Sequence, residues 1–259
     1  MSDILRIEKL TRNFGGLAAV SNVDLRLGEG ELVGLIGPNG AGKTTVFNLL
    51  TGVYPPSSGT IAFTRDAQEL SLGGRKPNVV CRAGVGRTFQ NIRLFKDLTV
   101  LENVEIALQQ NHRYSLAASF FRLPPFARTE AAVREESMEL LALMGLAEKA
   151  EEQARNLPYG DQRHLEIARA LATRPTLLLL DEPAAGMNPA ETAELTGLIS
   201  RLRTEFGLTI LLIEHDMSLV MKICERIYVL DHGVVIASGT PAEVRANPRV
   251  IEAYLGEEA

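Results

Sequence analysis

The feature that most constrains this chain is the stretch 37–44, which reads Gly-Pro-Asn-Gly-Ala-Gly-Lys-Thr. It follows an apolar run at 32–36 and precedes a helix-like run that ends at Leu50. Glycines allow consecutive backbone N–H groups to point into one anion-binding nest, and the N-terminus of a helix adds a positive dipole. The spacing therefore predicts a strand–loop–helix unit that binds the phosphates of a nucleoside triphosphate. The alternative is a glycine turn with an unrelated lysine.

The residues of this loop predict separate contacts with the nucleotide and its metal ion. We expect Lys43 to reach the β- and γ-phosphates and the Thr44 hydroxyl to ligate Mg²⁺. The predicted nucleotide-binding set is the loop with the residue that follows it: Gly37, Pro38, Asn39, Gly40, Ala41, Gly42, Lys43, Thr44 and Thr45.

Length, charge and cysteine content limit the classes of protein. The chain has 259 residues, enough for one sizeable α/β core with an appendage, which we expect, or for two small domains. Its formal net charge of −5 provides no basic field, so we expect no nucleic-acid partner. Cys81 and Cys224 fit no metal or disulfide spacing and are expected to be reduced packing residues in a cytosolic protein. Because no leader and no span-length apolar run is found, we expect a chain that is neither secreted nor membrane-spanning.

The order of the elements predicts two kinds of sheet. Short strands separated by turns are predicted at 4–10, 20–27, 31–36 and 60–63. The first of these indicate an antiparallel start. From Asp161 onward helices and strands alternate, which indicates a parallel sheet with the nucleotide at its carboxyl edge. Residues 64–82 are polar and weakly patterned.

Capping residues and apolar periodicity mark the predicted helices. A capping box of Thr99 and Glu102 predicts a helix through Leu108, and an apolar stripe predicts another over 129–146. Three further helix starts are marked by a capping residue, and two of them by a following proline: Asn188-Pro189 with Glu191, Asp216 before Met217, and Thr240-Pro241 with Glu243.

Two predicted buried strands end in polar residues. The first ends in Asp181 and Glu182, and we expect Asp181 to hold the Mg²⁺ shell while Glu182, pointing elsewhere, acts as general base on an attacking water. The second ends in Glu214, His215 and Asp216, and His215 is expected to sense the γ-phosphate. The alternatives are two acids that merely end a strand in solvent, and a local hydrogen-bonding or capping role of His215 with Asp216.

These segments together resemble an ABC-transporter ATP-binding subunit over essentially the whole chain. The resemblance is carried, in order, by the loop at 37–44, Arg-Thr-Phe-Gln at 87–90, Leu-Pro-Tyr-Gly-Asp-Gln-Arg at 157–163 leading into 166–171, the strand that ends at 181–182, and His215. More narrowly, the chain is similar to the ATP-binding subunit of branched-chain amino acid importers in the stretches 87–90, 184–189, 213–216 and 251–256 and in the insertion at 110–130.

The resemblance implies the fold and the cofactors. We expect an α/β fold in which a phosphate-loop NTPase core carries an antiparallel β subdomain and an inserted helical subdomain. The whole chain, 1–259, is expected to form one ABC-type ATP-binding domain, with the core at 1–91 and 160–259 and the helical subdomain at about 92–159. The expected cofactors are ATP and Mg²⁺, and the expected reaction is hydrolysis of ATP.

The resemblance also implies roles for residues outside the loop. Phe14 stands where the family stacks an aromatic ring on adenine, with an ordinary core residue as the alternative. Gln90 stands at the loop that touches Mg²⁺ and the attacking water, so it is expected to be a metal ligand and a catalytic residue. Tyr159, Gly160 and Asp161 occupy the signature segment, which in this family contacts the γ-phosphate bound by the other subunit of a head-to-tail dimer.

The signature segment departs from the common Leu-Ser-Gly-Gly-Gln pattern. Pro158 replaces the serine and Tyr159 the first glycine, so a hydroxyl and a backbone donor are missing at position 158. The N–H groups of Tyr159 and Gly160 remain for the phosphate, together with the positive end of a helix expected to begin near Asp161.

The function implied by the resemblance is the motor of an importer for branched-chain amino acids. The expected partners are membrane permease subunits, a second ATP-binding subunit, which is a copy of this chain or a paralogue, and indirectly a periplasmic binding protein. The expected location is peripheral, on the cytoplasmic face of the inner membrane. The alternatives are the ATPase of a urea importer or lipopolysaccharide exporter and a non-transport ATPase such as an iron–sulfur assembly factor. The apolar stretch 115–126 is expected to pack on its own helical subdomain, with docking onto a permease helix as the alternative.

Overall fold

The computed structural model describes residues 3–112 and 124–255, and the chain divides into two compact units. The first unit comprises Met1–Arg87 and Thr176–Ala259, and the second comprises Thr88–Pro175. The apolar stretch 115–126 lies outside the described residues as far as position 123.

The first unit contains all of the strands found in the described residues. They are β1 (Asp3–Phe14), β2 (Leu17–Gly28), β3 (Leu32–Ile36), β4 (Ser58–Arg65), β5 (Gln68–Ser71), β6 (Val85–Arg87), β7 (Leu177–Asp181), β8 (Thr209–Ile213), β9 (Arg226–Asp231) and β10 (Val234–Gly239). The antiparallel sheet has the order β2-β1-β4-β5, which confirms the antiparallel start.

The second sheet has the order β10-β9-β3-β8-β7-β6. Its pairs are parallel except β9 with β10, so β3, β8 and β7 end at the same edge. Every residue of these three strands is buried, as expected for a parallel sheet covered on both faces. This arrangement confirms the α/β fold and brings the polar residues that follow each strand to one edge.

Helices are found in both units. The described helices are α1 (Lys43–Leu50), α2 (Pro77–Ala83), α3 (Val100–Leu108), α4 (Pro124–Leu143), α5 (Tyr159–Ala172), α6 (Pro189–Phe206), α7 (Met217–Ile223), α8 (Pro241–Ala246) and α9 (Pro248–Leu255). Within the ranges 3–112 and 124–255, none of them combines the length and the apolar character that crossing a bilayer requires.

The second unit is built from α3, α4 and α5, and it is wider than the helical subdomain expected at about 92–159. It takes in α5 because that helix packs against α3 and α4. It takes in residues 88–91 as well, since Glu166 on α5 accepts a hydrogen bond from the backbone N–H of Phe89.

The predicted helix starts are confirmed by their caps. Thr99 and Glu102 form a complete capping box, as do Asn188 with Glu191 and Thr240 with Glu243. At the fourth start, the Asp216 carboxylate accepts from the N–H groups of Ser218 and Leu219. These local signals were sufficient because a cap is decided by neighbours within one turn.

Three stretches differ from the prediction. The weakly patterned region 64–82 contains β5 and α2, because β5 is an exposed strand without alternation and α2 buries only Val80. Helix α4 covers Pro124–Leu143 rather than 129–146, and Gly145 with φ +70° lies just beyond its end. Helix α5 begins at Tyr159, two residues before the expected position, because Pro158 serves as its N-cap residue.

The core of the first unit lies between its two sheets and includes α1. Leu5, Ile7 and Phe63 of the antiparallel sheet, Leu35 of the parallel sheet and Phe47 of α1 are fully buried in one cluster. The cluster fixes the direction of α1 from the end of β3, and therefore the position of the loop between them.

Both cysteines are free thiols. Burial raises the pKa of the Cys224 thiol to about 12, which keeps it protonated and suits the expected packing role.

The cap of α6 generates a stability prediction. Replacing Asn188 with Ala should lower the free energy of unfolding by about 1 kcal/mol, because the amide oxygen accepts from the N–H groups of Ala190 and Glu191. Asn188→Asp keeps the acceptor and should unfold at the wild-type urea concentration. Equal losses in the two variants in urea titrations would show that Asn188 matters for another reason.

Candidate functional site

The loop at 37–44 approaches neighbouring backbone too closely for side chains at two positions. Gly37 has φ +151° and Gly42 has φ +103°. A Cβ atom on Gly37 would collide with the carbonyl oxygen of Leu230, and one on Gly42 would lie 2.5 Å from that of Ala19. Both glycines are therefore required by the packing of the loop as well as by its left-handed turns.

The loop leads directly into α1. Gly42 is the N-cap residue of α1 and has no side chain that could accept from the N–H groups of the first turn. The helix dipole at this N-terminus favours a negatively charged ligand. The carbonyl of Ala41 accepts a hydrogen bond of 3.0 Å from the N–H of Gly233, which ties the loop to the turn between β9 and β10.

Lys43 lies folded over the loop. Its side-chain ammonium donates to the carbonyls of Gly37 at 2.6 Å and Pro38 at 2.8 Å, and the residue is only 8% exposed. A phosphate in the loop would therefore meet a positive charge that is already largely removed from water. Such a charge attracts an anion more strongly than an exposed lysine does.

Asp181 is held by a buried ion pair with Arg87. The carboxylate accepts from Arg87 Nη2 at 2.8 Å, and both side chains are almost fully buried. Arg87 Nη1 donates to Asn48 Oδ1 at 2.8 Å and to Thr51 Oγ1 at 3.1 Å, which connects Asp181 to α1. The sequence analysis used Arg87 only as part of the resemblance. The signal it offered was a cation at the end of a strand that pairs with the strand ending in Asp181.

Glu182 combines a strained backbone with a fixed position. Its φ is +47°, an unfavourable value for a residue with a side chain, and such strain is concentrated at functional sites. Its N–H donates to the carbonyl of Ile213 at 2.9 Å, which joins the ends of β7 and β8. Its carboxylate lies 3.9 Å from His215 Nδ1, and the His215 side chain is 68% exposed. Two of the predicted catalytic residues are thus neighbours, with His215 open to solvent.

Glu214 is a site residue that the sequence analysis left without a role. Its carboxylate is buried and accepts from the N–H groups of Ala184 at 2.7 Å, His215 at 3.0 Å and Asp216 at 3.4 Å. It joins the segment after Glu182 to the segment that carries His215. Burial raises its pKa above the ordinary value, although these backbone hydrogen bonds oppose the shift. The only sequence signal was an acid directly after a fully apolar strand.

The donor set suits a hard divalent cation only in part. Thr44 offers a hydroxyl on the first turn of α1 and Asp181 a carboxylate at the end of β7, and Mg²⁺ prefers such oxygen ligands. No group of three or more His, Cys, Asp or Glu side chains that could hold a metal ion occurs within residues 3–112 and 124–255. The residues therefore fit a magnesium ion whose remaining ligands are phosphate and water oxygens.

Phe14 lies at the end of β1 and is 40% exposed. Its ring makes an edge contact with Tyr54 at 5.2 Å, and the Arg12 guanidinium lies 4.6 Å from its centroid. The exposure disfavours the reading as an ordinary core residue. Stacking on adenine stays a prediction.

The remaining predicted residues belong to the second unit. Tyr159, Gly160 and Asp161 form the first turn of α5, and the N-cap residue Pro158 makes no side-chain capping hydrogen bond. Tyr159 is 45% exposed, and the Asp161 carboxylate is paired with Lys149. This pairing raises the pKa of Lys149 and keeps it charged. Gln90 is exposed in the segment between β6 and α3.

The structure thus groups the predicted site residues by unit. The first unit holds Phe14, the loop residues 37–45, Asp181, Glu182 and His215, and all but Phe14 follow strands that end at one sheet edge. The second unit holds Gln90 and residues 159–161. The geometry of the first group suits binding of a nucleoside triphosphate beside a carboxylate and an imidazole.

Comparisons with known sequences agree with this geometry. Residues 20–185 match the family described as ABC transporter, and residues 234–259 match the family described as branched-chain amino acid ATP-binding cassette transporter. The chain is 52% identical to the high-affinity branched-chain amino acid transport ATP-binding protein LivG of Salmonella typhimurium, with 98% of each chain covered. It is 50% identical to BraF, of the same description, from Pseudomonas aeruginosa, again over 98% of each chain.

Solved structures give the same result. The crystal structure of the ADP conformation of MJ1267, an ATP-binding cassette of an ABC transporter, superposes with a TM-score of 0.83 at 30% identity, covering 99% of this chain and 100% of that one. The family, the fold and the ATP hydrolase activity expected from the sequence are confirmed. The chain belongs to the ABC transporter family and is an ATP-hydrolysing cassette of that family.

Proposed function

We propose that this chain is the ATP-binding subunit that powers an importer of branched-chain amino acids. The observation that carries the proposal is the agreement of two comparisons. Relatives named for branched-chain amino acid transport match 98% of the chain, and the separate match at residues 234–259 belongs to a family of the same name. That second match favours this substrate over urea and lipopolysaccharide.

The first step is binding of ATP on the first unit. The first turn of α1 supplies backbone N–H donors, Lys43 supplies a desolvated positive charge, and Phe14 is proposed to stack on adenine. Thr44, Asp181 and Gln90 are proposed to hold Mg²⁺, which when bound neutralises part of the phosphate charge. Arg87 keeps the Asp181 carboxylate in one orientation for that purpose.

The second step is attack of water on the γ-phosphate. Glu182 is proposed to accept a proton from the water, because its carboxylate is held at a strand end and remains partly exposed. His215, beside it, is proposed to contact the γ-phosphate, and Gln90 to contact the water. Glu214 holds the backbone next to both residues, because its carboxylate accepts from the N–H groups of Ala184 and His215.

The proposed mechanism also requires a partner subunit. Residues 159–161 are proposed to contact the γ-phosphate held by a second ATP-binding subunit, either a copy of this chain or a paralogue, in a head-to-tail dimer. The solved structure of the cassette MJ0796 with ADP and Pi, 26% identical with a TM-score of 0.75, is described as dimeric, which supports the pairing of two such subunits. Permease subunits and, indirectly, a periplasmic binding protein complete the proposed importer at the cytoplasmic face of the membrane.

Glu182→Gln tests the chemistry and the dimer together. We expect turnover about 10²–10⁴-fold lower with the wild-type affinity for ATP, because the amide cannot accept the proton. ATP should then accumulate a dimer on size-exclusion chromatography. Glu205→Gln, which changes an exposed glutamate of α6, is the matched control and should behave as wild type. Wild-type turnover in Glu182→Gln would assign the role of base to another group.

Transport is tested by uptake of labelled leucine, isoleucine and valine. In cells that lack the chain's gene, the wild-type gene should restore uptake and Lys43→Ala should not, because the variant loses the charge that contacts the phosphates. Titration calorimetry with ATP and Mg²⁺ should show the same loss in the purified variant. The exposed Lys76→Ala is the control. Uptake that is unaffected by loss of the gene would contradict the proposed substrate while leaving the ATPase assignment intact.

A further inference from the structure

Arg163 is a fully buried arginine in the second unit. It lies on α5, one turn after Tyr159, and none of its surface is exposed. A buried guanidinium is costly unless its donors are satisfied, because its charge has been taken out of water. The groups that accept hydrogen bonds from this guanidinium therefore indicate the role of Arg163.

The guanidinium joins two segments of the second unit. Nη1 donates to the carbonyl of Phe89 at 2.7 Å and to Glu166 Oε2 at 2.9 Å. Nη2 donates to the carbonyl of Gln90 at 2.9 Å and to the Tyr159 hydroxyl at 3.0 Å. One rigid planar group thus contacts the backbone of Gln90 and the side chain of Tyr159 through the same nitrogen.

Glu166 completes the attachment of the segment that carries Gln90. Its Oε1 accepts from the N–H groups of Phe89 at 3.1 Å and Arg93 at 3.4 Å. Burial raises the pKa of this carboxyl group, and the adjacent Arg163 opposes the shift. Residues 89–93 are therefore held on α5 by both members of a buried ion pair.

We propose that Arg163 is a positioning residue that couples Gln90 to the signature segment, so that the two segments move as one body with α5. The coupling rests on the proposed function, in which Gln90 contacts the attacking water and residues 159–161 contact the partner's nucleotide. When the nucleotide bound by the partner subunit contacts residues 159–161, the position of α5 would then also set the position of Gln90 in this subunit.

The hydrogen bond from Arg163 also gives a role to the tyrosine side chain at position 159. Glycine, the residue common at this position, has no side chain, whereas the tyrosine hydroxyl lies within hydrogen-bond distance of Arg163. The hydroxyl is the part of the tyrosine that makes the coupling, and it can be removed without changing the ring.

The first test is Tyr159→Phe. Losing one hydrogen bond to a charged group should lower kcat about tenfold. The KM for ATP and the melting temperature should stay at their wild-type values, because the ring, 45% exposed, is kept. Tyr228→Phe is the matched control, since that hydroxyl accepts from Arg226 Nη1 at 2.9 Å in the first unit. Its kcat should not change. A wild-type kcat in Tyr159→Phe would overturn the proposal.

The second test measures the attachment without activity. In Arg163→Lys and Glu166→Gln, the amides of Phe89 and Arg93 should exchange with deuterium faster than in the wild type. The amides of the first turn of α3, which is capped by Thr99, should keep their protection and report that the unit is folded. Unchanged exchange at residues 89–93 in both variants would contradict the attachment.

A double-mutant cycle separates this coupling from the proposed function. If Gln90 and Tyr159 act through Arg163, the double variant that combines Gln90→Ala with Tyr159→Phe should have a kcat no lower than that of the slower single variant. If the kcat losses of the two single variants multiply in the double variant, the two residues have independent roles. That result would overturn the coupling and leave the proposed function of the site intact. A wild-type kcat in Gln90→Ala would instead overturn the role of Gln90, and with it the coupling, whatever the exchange data show.

Discussion

The close approach of the phosphate-binding loop to its neighbours is the constraint on which the site depends. Gly37 lies against the carbonyl of Leu230, and Gly42 lies against that of Ala19, so the loop backbone is fixed from two sides. Because the loop is fixed, α1 begins at Lys43, directly after the N-cap residue Gly42. The lysine then packs back over the loop. One packing constraint therefore positions both the donors and the charge that are proposed to contact the phosphates.

A second theme is the use of buried charges beside the site residues. Arg87 holds Asp181, Glu214 holds the backbone next to His215, and Arg163 holds the backbone of Gln90. Each buried charge costs desolvation energy and is compensated only by good geometry, so a well-packed apolar residue would often be as stable. The benefit of these charges is orientation. They hold in one position the groups that are proposed to contact the nucleotide, its metal ion or the attacking water.

The features that the sequence predicted depend on contacts between residues close together in the chain, whereas the features that it missed depend on contacts between distant residues. The caps at Thr99, Asn188 and Thr240 were predictable because cap and helix are adjacent in the chain, and the loop at 37–44 carries its own spacing. The backbone groups that Arg163 and Glu166 contact lie more than seventy positions away, at Phe89 and Gln90. A charged residue inside an amphipathic helix normally predicts a solvated face, so its burial is decided by tertiary contacts that no local pattern contains.

The start of α5 bears on the proposal that the unusual signature segment contacts a phosphate. Proline at position 158 has no backbone N–H, and it is the N-cap residue of the helix that begins at Tyr159. The N–H groups of Tyr159 and Gly160 then belong to the uncapped first turn, where the helix dipole is most positive. A carboxylate at position 161 would oppose a phosphate, but Lys149 pairs with it. The first turn thus presents backbone N–H groups and the positive end of the helix dipole next to the position where the serine hydroxyl is missing, and Arg163 connects that turn to Gln90.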